Sequence, residues 1–78
     1  MTTEERMNRN QIRCDLAACN FIRLAVINDK HNQAHLDLSN MLERRAHSTF
    51  LDMYGRDKST FALCEIFNVP DPMTMDFD

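Results

Sequence analysis

Leu16-Ala-Ala-Cys-Asn-Phe-Ile-Arg-Leu-Ala-Val-Ile27 holds ten apolar residues in twelve, interrupted only by Asn20 and Arg23. On a helix, Ile12, Leu16, Cys19, Ile22 and Val26 make one stripe, spaced four, three, three and four. Cys14, Ala17, Phe21, Leu24 and Ala25 make a second stripe beside it. A surface helix normally carries one apolar stripe of about 100°. A wider band has to be covered from two directions, by the rest of a small chain or by another chain. The expectation is a central first helix whose second stripe serves self-association or partner binding.

The residues before this stretch start that helix. Thr2-x-x-Glu5 fits a capping box, in which the hydroxyl accepts from an orphan amide and the carboxylate reaches back. Glu4 and Glu5 also sit where the helix dipole favours negative charge. The helix is expected from about Thr3 to Ile27, with Glu5, Arg9 and Arg13 as a solvated ladder. Asn28-Asp29-Lys30-His31-Asn32 is rich in turn formers and ends it.

Beyond the turn, Leu38, Met41, Leu42, Ala46, Phe50 (or Thr49) and Met53 keep three-and-four spacing, predicting a second helix over 32–54. Gly55, the single glycine, stands where a left-handed C-cap is useful. Asp57 or Ser59 then caps a third helix over 59–69, with Thr60, Leu63, Cys64 and Phe67 on one face. A strand is the competing reading of 60–69, since Phe61, Leu63, Phe67 and Val69 alternate, but Glu65 breaks the apolar side. Without a partner strand, helix is preferred. Pro70 ends the segment by disfavouring helix at the preceding residue.

One glycine leaves little for the positive φ angles of tight hairpins, so a sheet of hairpins is disfavoured. Abundant Ala, Leu, Met, Glu, Arg and Gln favour helix. The fold class expected is an all-α, three-helix small domain over 1–70, followed by an acidic, flexible tail over 71–78. A domain of 78 residues buries only about 60–65% of its unfolded surface, and small chains often add stability by oligomerising. A two-fold homodimer is the expected arrangement.

Three cysteines, Cys14, Cys19 and Cys64, cannot all pair within one chain, and no Cys-x-x-Cys occurs. They read as reduced, mostly buried thiols of a cytoplasmic protein. The polar N-terminus lacks a secretory apolar segment, and the run at 16–27 is short of the roughly 20 residues a bilayer needs. The net charge is −3, and residues 59–78 carry Glu65, Asp71, Asp76 and Asp78 with no Lys or Arg. Phosphate affinity comes from clustered cations, so this end is poorly suited to nucleic acid.

Candidate chemistry is sparse. His31 and His35 lie four apart, a ligand spacing, but His47 falls about 120° away and the metalloprotease glutamate is missing. No metal site and no cofactor is assigned. Cys14 and Cys19 lie within the apolar band, where a thiol stays protonated and inert, and His47-Ser48 point in different helical directions. No catalytic residue is named, and an enzyme is not expected. Thr60 to Val69 resembles the first helix of a helix-turn-helix unit, which implies a cationic recognition helix after it. Pro70, Asp71, Pro72, Asp76 and Asp78 stand in that place. DNA contact would then fall to Arg6, Arg9, Arg13 or Arg44-Arg45.

The partner-binding candidates are therefore Phe21, Leu24 and Ala25, the arginines Arg6, Arg9 and Arg13, and Met75, Asp76, Phe77 and Asp78 of the tail. The functional expectation is a non-enzymatic protein-protein interaction module. It would act as an adaptor or small inhibitor of a larger protein or nucleoprotein complex, of phage or mobile-element type. A small transcription regulator with a divergent helix-turn-helix is the alternative.

Overall fold

The computed structural model describes residues 1–28 and 33–70, and among these the chain is wholly helical. Helix α1 runs Thr3–Asn28, α2 runs Gln33–Tyr54 and α3 runs Thr60–Ile66. Three of these boundaries have a visible local cause. The Thr2 hydroxyl accepts from the Glu5 amide at 3.1 Å, the first half of the expected capping box. Gly55 adopts φ +71 and its amide donates to the Leu51 carbonyl at 2.8 Å, closing α2 with a left-handed residue. Ser59, extended at φ −64 and ψ 156, accepts from the Ala62 amide and caps α3.

The end of α3 differs from expectation. Helix was expected to reach Val69, but Asn68 takes φ 57 and the helix stops at Ile66. The Val69 amide donates to the Cys64 carbonyl at 2.8 Å and the Asn68 amide to Glu65 at 3.3 Å, a Schellman closure. Pro70 follows a chain that has already turned. Asparagine tolerates the left-handed region better than most residues, so a helix can end there without glycine.

Helices α1 and α2 pack antiparallel. Arg9 pairs with Tyr54, Asp15 with Arg45 and Arg23 with Glu43, so residue numbers fall along one helix as they rise along the other. The third helix lies over one flank of this hairpin. Its Leu63 and Cys64, with Phe67 and Val69 after it, close on Ile12, Leu16, Ala46 and Phe50 to form the core. Phe50 meets Phe67 edge-on at 6.2 Å and tilts against Tyr54 at 4.8 Å, favourable aromatic geometries.

The first stripe of α1 is the core stripe: Ile12, Leu16 and Cys19 have no exposure, and Ile22 and Val26 are half-buried. The stripe expected on α2 needs correction. Ala46 and Phe50 are buried and Leu42 and Met53 half-buried, but Leu38 and Met41 are exposed. They sit toward the flank of the hairpin that α3 does not reach. Ser39, between them, is the buried residue, its hydroxyl donating back to the Leu36 carbonyl at 2.8 Å. The turn expected at 28–32 falls mainly on residues 29–32, and the tail is 71–78; both lie outside the described residues.

Candidate interaction surfaces

The second stripe of α1 faces away from the core. Cys14, Ala17 and Ala25 are exposed, Phe21 keeps 65% of its surface in solvent, and Leu24 is half-buried. Cys14 was expected to be shut within the apolar band. It is exposed instead, because nothing in the described chain covers this side of α1. At 100° per residue, Met7, Cys14, Ala18, Phe21 and Ala25 fall within about 60° of one another, over a rise of about 27 Å. Met7 is also 65% exposed.

The arginines of α1 do not act together. Arg9, expected on a solvated ladder, is drawn into the fold: its guanidinium donates to the Tyr54 hydroxyl at 2.7 Å and lies 4.9 Å from the Phe67 ring centroid. Arg6 and Arg13 are exposed. Of the other pair, Arg45 forms a fork on Asp15, with Nη2 to Oδ1 at 2.6 Å and Nε to Oδ2 at 2.9 Å. Met75, Asp76, Phe77 and Asp78 lie outside the described residues, as does the place where a recognition helix would follow α3. His31 lies there too, and His35 is exposed. Among the described residues no group of three or more His, Cys, Asp or Glu side chains is placed to hold a metal ion.

Two flanks of the α1–α2 seam carry different polar groups. On the flank under α3, Arg23 donates to both carboxylate oxygens of Glu43, at 2.9 and 3.1 Å. The Thr60 hydroxyl donates to the same carboxylate at 2.9 Å. His47 extends the chain, with Nε2 2.8 Å from the Thr60 hydroxyl and Nδ1 2.8 Å from Asp57. The Arg23 fork, then the Thr60 bond, hold the Glu43 carboxyl below its ordinary range. The His47 ring, then the Lys58 amide, do the same for Asp57. Burial pushes the Cys19 thiol up, against the pull of the Arg23 charge. A thiol so placed is a poor nucleophile.

The order Asp57, His47, Thr60 is that of a hydroxyl-nucleophile relay, and spacing alone gave no sign of it. The Thr60 proton, however, points to Glu43 and not to His47. Running from Arg23 through Glu43 and Thr60 to His47 and Asp57, the cluster ties α1, α2 and α3 together as a clasp. Asn20 adds a second tie under α3: buried, it donates to the Pro70 carbonyl at 2.8 Å and to the Cys64 sulfur at 3.7 Å.

On the opposite flank, Asp15 is 2% exposed and takes three donors, two from Arg45 and one from Gln11 Nε2 at 2.9 Å. A carboxylate there is tolerable because all its contacts are charge-assisted or polar. Between the start of α1 and the end of α2 lies a cleft of about 590 Å³, lined by Glu4, Glu5, Asn8 and Asp52 and reaching Met53 and Tyr54. It shares no residue with the His47 clasp. No helix among the described residues is long and apolar enough to cross a membrane. Comparison with protein-family models, curated proteins and solved structures finds no match to this chain.

Proposed function

We propose that this chain is a non-enzymatic protein-interaction module, an adaptor or small inhibitor of a larger protein or nucleoprotein complex. It acts as a two-fold dimer joined through the outer stripe of α1. The observation that carries the reading is Phe21: a phenylalanine at the middle of a long helix, 65% exposed, flanked along its face by Cys14, Ala18 and Ala25. A face that places apolar residues at 7, 14, 18, 21 and 25, with Gln11 filling the one gap, steps by four and three in strict alternation. That is the 3.5-residue period of a helix-to-helix seam. Two antiparallel copies centred between Cys19 and Asn20 set each Phe21 against Ala18 of the other, and each Ala25 against Cys14. The large Phe21 then meets a small residue, and the small Ala25–Cys14 pairs let the two helices approach closely, so the seam fills without clash.

Dilution tests it. Amide spectra of the labelled chain should shift on dilution at residues 14–25 of α1 and stay fixed across α3. Shifts spread evenly over all three helices, or none at any concentration, would count against the dimer.

A further inference from the structure

The flank of the hairpin opposite α3 is a groove with two unlike ends. At one end Ala34, Leu38 and Met41 share one face of α2, and all three are exposed. Leu38 and Met41 remain 40% and 56% exposed. The middle is bridged by the Asp15–Arg45 fork. At the other end Glu4, Glu5 and Asp52 line the 590 Å³ cleft, and no Lys or Arg lines it. The start of α1 offsets part of this negative charge, while the end of α2 adds to it. From Leu38 to Asp52 the groove runs about 21 Å, four helical turns.

We infer that this groove takes an amphipathic helix from a partner protein, apolar at one end and carrying Lys or Arg at the other. A helix laid in a groove supplies anchors at three-and-four spacing, and opposite charge fixes its direction. A second copy of this chain does not fit. Parallel pairing brings the Glu4, Glu5 and Asp52 carboxylates of both copies together; antiparallel pairing sets them against Leu38 and Met41. The chain's own last eight residues have the wrong sign, with Asp71, Asp76 and Asp78 and no cation. The inference rests on the reading of the chain as an interaction module, but it uses a different face from the outer stripe.

The probe is a display library of helical 18-residue peptides with randomised surface positions, selected on the full chain. Selected peptides should share an apolar stripe and Lys or Arg clustered at one end. Asp52→Lys should weaken them about tenfold, as should Leu38→Asp, with helicity retained in both. Phe21→Asp should leave their affinity within about twofold, although it breaks the proposed dimer, so each idea can fail without the other. Selection of uncharged or acidic helices, or of none, overturns the inference. So does unchanged binding by Asp52→Lys, or a groove whose Leu38 and Asp52 amides shift with protein concentration alone.

Discussion

Replacing Leu16 by Ala and Phe21 by Ala separates the two stripes of α1 by energy. Leu16 has no solvent exposure and sits among Ile12, Ala46, Phe50, Leu63 and Phe67. Truncating such a leucine costs about 2–5 kcal/mol, part lost transfer and part cavity. A chain this size has about 4–12 kcal/mol in total, so one substitution removes at least about a sixth of it. At about 4–8 °C per kcal/mol, the melting midpoint should fall by at least roughly 8 °C. Phe21 has only about a third of its surface covered, worth about 1 kcal/mol, and Ala returns about 0.5 kcal/mol of helix propensity. Its net effect on the isolated chain should stay under about 1 kcal/mol. Thermal melts followed by circular dichroism at low micromolar concentration make the comparison. A Phe21→Ala midpoint as low as that of Leu16→Ala would mean that Phe21 is buried by its own chain, and the reasoning would fail.

Other outcomes follow from the same contacts. Native protein should react with a thiol reagent at Cys14 alone and yield all three cysteines only when unfolded, since Cys19 and Cys64 are buried; rapid modification of Cys19 would contradict the core. Glu43 and Asp57 ionise more readily folded than unfolded, so their contribution is complete above the ordinary carboxylate range of about 4 and lost as pH falls through their depressed values. Glu43→Gln should therefore flatten the acid limb of a stability-against-pH curve, and an unchanged slope would remove the clasp from the account. Gly55→Ala should cost about 1 kcal/mol in a denaturant titration. A Cβ there meets nothing within 4 Å, so the cost is conformational, set by φ +71 alone; a neutral result would show that α2 ends some other way.

The helical layout was legible because its signals are local. Thr2, Gly55 and Ser59 announce boundaries through hydrogen bonds or backbone angles within a few residues, and the core stripe of α1 follows from spacing. The exposed Leu38 and Met41 were not legible. A three-and-four pattern marks a face as apolar without saying whether a third helix reaches it, and α3 is too short to cover both flanks. The polar ties were hidden for a similar reason. Asp15–Arg45, Arg23–Glu43 and Asp57–His47–Thr60 join residues 10 to 30 positions apart, and no local pattern reports such pairs. Arg9 shows the limit most clearly. Its spacing from Glu5 and Arg13 suggests solvent, whereas the hairpin brings Tyr54 and Phe67 beside it.

The central claim is that the outer face of α1 joins two chains, and mass in solution tests it most directly. Sedimentation equilibrium of the unmodified chain should move from 9.2 kDa toward twice that value as concentration rises. Phe21→Asp should remain at the single-chain mass with its helicity intact. A wild-type chain that stays single at the highest concentration, or a Phe21→Asp chain that loses its helices, would contradict the account.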